Sequence, residues 1–152
     1  MFSKLFVPGN DSLLTSVALL VLRLWLGLTL MLNHGLSKLK GFDSMASGFP
    51  DPLKVGHSVS LALVVFAEVV VALLLAAGVV TRFGALVLAI NMAVAFFMIH
   101  ERKLSGGHSG ELAFIYLAAF VALFLAGPGR FSLDNRLFGR VRGSGKKSRS
   151  CE

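Results

Sequence analysis

Four long apolar runs, 13–33, 58–78, 82–100 and 110–127, are separated by shorter segments in which Gly, Pro and charged residues collect. A bilayer's hydrocarbon core is ~30 Å thick and needs about 20 mostly apolar helical residues to cross it, so each run is a predicted membrane span, the last being the shortest. A soluble bundle would give each helix a polar face, whereas 58–78 holds Glu68 as its sole ionisable side chain. The pattern therefore predicts an all-α, membrane-spanning four-helix bundle. Lys4 ahead of the first run resembles the start of a signal peptide. The apolar core continues past Arg23 with no small-residue cleavage site after it, so a retained helix is expected.

The connections differ in kind. Segment 35–57 contains Gly41, Gly48, Pro50, Pro52 and Gly56 and reads as an extracytoplasmic loop that can dip back against the bundle. Only 79–81 separates the second and third runs, which forces an antiparallel hairpin. Gly106-Gly107 breaks the third connection, and Gly127-Pro128-Gly129 stops the last helix. Ser132 can then cap a short segment with Leu133, Leu137, Phe138 and Val141 opposite Arg136 and Arg140, the pattern of a helix lying in the interface. The expected organisation is a transmembrane domain over 1–142, including that segment, and a disordered basic tail over 143–152. Ala85, Ala89 and Ala93, and likewise Ala118, Ala122 and Ala126, supply the four-residue spacing of small side chains that close helix contact in lipid requires.

The polar exceptions inside the runs carry the chemistry. Arg23, Glu68 and Asn91 each fall at the midpoint of a run, which predicts one polar layer in which Arg23 pairs with Glu68 and Asn91 completes the hydrogen bonding. Such a layer could fix helix register alone, or it could line a head-group pocket or form a proton relay. His34 shares the face of Arg23 toward one surface, and His34, His57, His100 and His108 all fall on the same predicted outer side. No two histidines have the three- or four-residue spacing of helix-borne ligands, so no metal is expected. Glu111 opens the last helix, where a negative charge stabilises the N-terminus. Trp25, Tyr116 and the thirteen phenylalanines are read as packing.

Composition sharpens this picture. Of 152 residues, 55% are hydrophobic and only 15% charged, and the mean hydropathy is +0.78, too apolar for a soluble domain of this length. The net charge of +7 is not matched by any base-reading motif, and the tail mixes its basic residues with Gly and Ser, so a topology signal and contact with anionic lipid are expected rather than nucleic acid. Basic residues are richer on the side of both termini, which predicts cytoplasmic ends in a plasma (inner) membrane. Cys151 is the single cysteine, which excludes an internal disulfide, a thiolate metal cluster and a Cys-x-x-Cys pair. No nucleophile elbow, phosphate loop or catalytic carboxylate pair is present, which argues against a self-contained hydrolase or kinase.

Read in order, Arg23-x3-Gly27, His34-Gly35-x2-Lys38-Leu39, Glu68, Leu75-x2-Gly78-x2-Thr81-Arg82, Gly110-Glu111-Leu112 and the closing Gly127-Pro128-Gly129-Arg130-Phe131-Ser132-Leu133-Asp134 resemble the DoxX family of small four-helix membrane proteins. The resemblance covers about 13–134, and the closing run is its most specific element. It takes in Arg23, Lys38, Glu68 and Glu111 as matching positions without fixing their roles. It implies an accessory membrane subunit of a quinone-linked oxidoreductase system, with quinone as the ligand and a soluble or membrane redox protein as partner. Two other readings stand beside it: an anchor or assembly factor without chemistry of its own, and a small transporter that would have to oligomerise to enclose a path.

Overall fold

The computed structural model describes residues 13–107 and 109–136. Four helices carry the fold: α1, Leu13–Lys40; α3, His57–Ala77; α4, Thr81–Ile99; and α5, Glu111–Ala126, with a short α2, Phe42–Met45, in the first connection. No strand occurs among the described residues. α1, α3 and α4 are long and apolar enough to cross a membrane. The 16 residues of α5 span ~24 Å at 1.5 Å per residue, the shortest of the four. The protein is an all-helical membrane bundle. Its outward faces carry large apolar side chains such as Trp25, Phe66, Ile90 and Leu125, each more than half exposed, as lipid contact requires.

The helices alternate in direction. One end, here the hairpin end, holds the start of α1, the turn between α3 and α4, and the exit from α5; the other, the loop end, holds the two longer connections. Ala72, Leu75, Ala85, Leu88, Phe120 and Leu123 are fully buried and form the centre of the core. Gly27 and Gly35 bring α1 onto α3. A Cβ at Gly27 would lie 2.6 Å from the Ala72 carbonyl oxygen, and one at Gly35 would lie 2.7 Å from that of Glu68. Ala85 and Ala89 are buried against the neighbouring helices as expected. The expectation for α5 is corrected: Ala118, Ala122 and Ala126 are exposed, and the buried face is Ala113, Tyr116, Phe120 and Leu123. Aromatic bulk, not small residues, fills the centre from this helix.

α1 also runs further than its apolar run. It continues past residue 33 through a π-helical stretch, Met31–Gly35, to Lys40, because the polar residues after Asn33 include no proline and the helix meets its first breaker at Gly41. Two more π-helical stretches occur, Phe66–Val71 at the middle of α3 and Ala95–Ile99 at the end of α4. The hairpin is as short as expected, with Gly78 (φ 76°) and Val80 (φ 48°) both left-handed. The segment from Ser132 begins as expected: Ser132 Oγ accepts from Asn135 N at 3.1 Å, and residues 133–136 are helical. The remainder of the expected interfacial helix and the basic tail lie outside the described residues, as does His108.

Candidate functional site

The polar layer expected from the sequence divides into two separate sites. Arg23 and Glu68 do not pair. Along α3, Arg23 is level with Gly78, ten residues from Glu68, a separation of ~15 Å at 1.5 Å per residue. The midpoint argument placed Arg23 too high because α1 is 28 residues long, not the length of its apolar run.

At the hairpin end, Arg23 is wholly buried and tied to backbone. Nε donates to the Leu19 carbonyl and Nη2 to the Phe131 carbonyl, both at 3.4 Å, and Asp134 lies within electrostatic reach. Asp134 in turn closes the hairpin. Its Oδ1 accepts from Val80 N at 2.6 Å, its Oδ2 from Thr81 N at 2.8 Å, and its own N donates to the Gly78 carbonyl at 3.0 Å. The carboxylate thereby serves as the cap for the N-terminus of α4, supplied from 53 residues away. Arg130 N reaches Ser16 Oγ at 3.4 Å, and Ser132 Oγ donates to the Gly129 carbonyl at 2.9 Å. Among the described residues, Arg23 Nη1, Thr81 Oγ1 and Arg82 Nε are buried without a hydrogen-bond partner. The closing run 127–134 is a clasp across α1, α3 and α4, and Arg23 belongs to its structure.

Toward the loop end, Glu68 is buried and its Oε2 accepts from Lys38 Nζ at 2.5 Å. The continuation of α1 puts Lys38 there, and the absence of a side chain at Gly35 lets the two helices approach. Beside this ion pair lies a cavity of about 520 Å³, walled by α3, α4 and the first connection. Its polar groups are Lys38, Ser60, Glu68, Asn91 and His100; the rest of its lining is apolar and includes Phe66, Ile90 and Val94. The size is that of a small-molecule site, and a mainly apolar wall with a few convergent polar groups is the composition such sites have. Leu63, Phe66 and Ile90, which line it, are more than half exposed on the outer surface of the bundle, so the cavity opens toward the lipid-facing side.

The expected site residues are therefore only partly brought together. Glu68, Lys38 and Asn91 share the cavity, and among the described residues Asn91 makes no side-chain hydrogen bond. His34 is half-buried and does not line the cavity, its ring edge-on to Tyr116 at 6.3 Å between centroids. Tyr116 is buried in the core within electrostatic reach of Glu68, a placement that reading it as packing did not foresee. Glu111 is exposed at the start of α5, where its N–H donates to Ser109 Oγ at 3.1 Å, and it does not line the cavity. Among the described residues no three of His, Cys, Asp and Glu form a metal-binding group.

Sequence reasoning missed Ser60 and the roof formed by Phe49, Pro50, Pro52 and Leu53. The signal available was Asp51, four and five residues before Val55 and Gly56 and nine before Ser60, the groups it binds. For Lys38 the signal was its four-residue spacing from His34 on an unbroken helix.

The DoxX family pattern matches residues 18–101, which spans α1, α3 and α4 and hence the whole cavity. Two uncharacterized proteins of Haemophilus influenzae are similar to the chain. One is 31% identical over 128 residues, covering 79% of this chain and 83% of the relative. The other is 34% identical over 76 residues, covering 47% of this chain and 57% of the relative, so the chain spans little more than half of that protein's length. No solved structure matches. With a family match over more than half of its length and a relative aligned across most of both chains, this protein belongs to the DoxX family.

Proposed function

We propose that the protein is an accessory membrane subunit of a quinone-linked oxidoreductase system, binding the quinone head group in the cavity beside Glu68 and Lys38. One observation carries the reading: a buried carboxylate, already ion-paired, lines an apolar cavity of about 520 Å³ that opens toward lipid. A lipid-borne ligand with a polar head and an apolar tail suits that shape. The head would sit among Lys38, Glu68 and Asn91, and the tail would leave past Leu63, Phe66 and Ile90. The ammonium of Lys38 and the amide of Asn91 are donors fitted to ring carbonyl oxygens.

Reduction of a quinone to a quinol takes up two electrons and two protons. A redox protein partner would supply the electrons, since Cys151 leaves this chain no dithiol of its own. In the ion pair the proton is on Lys38, so its ammonium would donate one proton to a carbonyl oxygen while Glu68 balances its charge; the second proton and the reprotonation of Lys38 would come from water. In this reading the hairpin end, which gathers both ends of the described bundle, faces the cytoplasm of the plasma membrane, in line with the excess of basic residues there.

The anchor reading draws on the hairpin end. There Arg23, one of the family-matching positions, is engaged by a structural clasp. Bound quinone per chain, measured by mass spectrometry on protein purified in native lipid, separates the two. Enrichment above the bulk lipid level in wild type, lost in folded Glu68→Gln, supports a quinone site; no enrichment in wild type supports the anchor.

A further inference from the structure

The cavity's roof is fastened by side chains at the start of α3, and Asp51 makes the most contacts. Asp51 Oδ1 accepts from Ser60 Oγ at 2.7 Å and from Val55 N at 3.0 Å, while Oδ2 accepts from Gly56 N at 2.7 Å. A second tie joins His57 Nδ1 to the Phe49 carbonyl at 2.6 Å. The start and the middle of the roof, Phe49 and Asp51, are thus held to the first turn of α3 by polar contacts. No roof residue is itself buried, so no apolar core anchors it. Segments with few buried apolar contacts are the ones that open at low free energy. Pro50 and Pro52 fix φ at two of its positions and stiffen it against bending.

Ser60 belongs to both structures. It is buried, it lines the cavity, and its hydroxyl is the one by which Asp51 reaches α3. We propose that residues 46–56 form a lid over the cavity, and that Asp51, latched to Ser60, couples closure of that lid to occupancy of the site. The physical link is water. An empty cavity lets water compete for the Asp51 to Ser60 hydrogen bond, and a bound apolar ring excludes it, strengthening the bond in a drier surrounding. Linkage is reciprocal, so a ligand that tightens the latch is bound more tightly when the latch is intact. Asp51 is on this account a positioning residue, and the outer face of the lid changes its order with occupancy. The inference rests on the cavity reading given above, with a short-tailed benzoquinone as the probe.

The test is amide hydrogen exchange on the full chain in lipid nanodiscs, read at Val55 and Gly56, with affinity for the benzoquinone measured on the same samples. In wild type, saturating quinone is expected to slow exchange at these two amides at least fivefold. Asp51→Asn should speed their exchange about tenfold without ligand, abolish most of the ligand effect and weaken binding about tenfold. Ser60→Ala breaks the same latch from α3 and should reproduce the loss of ligand response, which guards against a local defect peculiar to one variant. Quinone that binds wild type and both variants equally, with no change at Val55 or Gly56, overturns the lid while leaving the quinone site standing. Failure of wild type to bind quinone overturns both.

Discussion

The guanidinium of Arg23 fills the space that a side chain at Gly78 would occupy: a Cβ there would lie 2.0 Å from Nη1 and 3.0 Å from Ser132 Cα. Gly78 also stands at φ 76°, where a side chain is strained in any surroundings. Gly78→Ala therefore meets both penalties and is expected to destabilise the fold by about 2–4 kcal/mol. Thermal unfolding in detergent or nanodiscs checks this. Combining it with Arg23→Met should recover part of the loss, because one of the two clashes goes; strict additivity would show that the two residues do not share the space.

Asp134 accepts two backbone N–H groups at the head of α4. Asp134→Ala leaves both without their acceptor, and the expected loss is about 2 kcal/mol, in the range of a helix cap made by a charged group. Asp134→Asn, which keeps one carbonyl oxygen, should lose less. Val80 offers the converse change. It is a β-branched residue at φ 48° and nearly half exposed, so Val80→Asn should raise the unfolding midpoint by relieving up to about 1 kcal/mol of left-handed strain.

Lys38 and Glu68 should behave as a coupled pair. Lys38→Met and Glu68→Gln each leave a charge without its partner, whereas the double variant leaves none. The double variant is expected to be more stable than the sum of the singles by about 1–3 kcal/mol in a double-mutant cycle on thermal stability. A coupling near zero would mean that the pair contributes nothing, as for an exposed ion pair.

The first connection should loosen in acid. Hydrogen bonds from Ser60, then from Gly56 and Val55, hold the Asp51 carboxyl below its ordinary value. A group whose folded pKa is depressed stabilises the fold above its unfolded pKa, near 3.9, and that contribution is lost as pH falls through the lower folded value. Protection of the Val55 and Gly56 amides should persist down to about pH 4 and disappear below it, and Asp51→Asn should flatten the profile.

The number, order and antiparallel course of the helices are legible in the sequence, because crossing a bilayer imposes long apolar runs that breakers such as Gly127-Pro128-Gly129 delimit. The depth of a polar residue is not. Apolar runs mark where lipid ends, whereas a helix ends where its backbone is interrupted, and α1 outlasts its apolar run as far as Lys40. That difference moved Arg23 out of the expected layer and brought Lys38 into it. Glu68 was recognisable as a lone charge in an apolar run, and the fold-back of 35–57 from its Gly and Pro content, but which residues roof the cavity depends on the tie between Asp51 and Ser60, which follows no periodic spacing. The acceptor for Arg23 is a backbone carbonyl, which any residue type could have supplied.

The clasp at the hairpin end also dictates a schedule for biogenesis. Arg23 and the Phe131 carbonyl that receives it are 108 residues apart. A ribosome adding ~5–20 residues per second makes the second about 5–20 s after the first. During that interval an arginine already sits in α1 with no clasp to hold it, a costly placement within lipid. α1, α3 and α4 can therefore meet as a loose assembly, but the hairpin end locks only when residues 127–134 emerge, so the synthesis of α5 and the run after it sets the moment at which the buried arginine is satisfied.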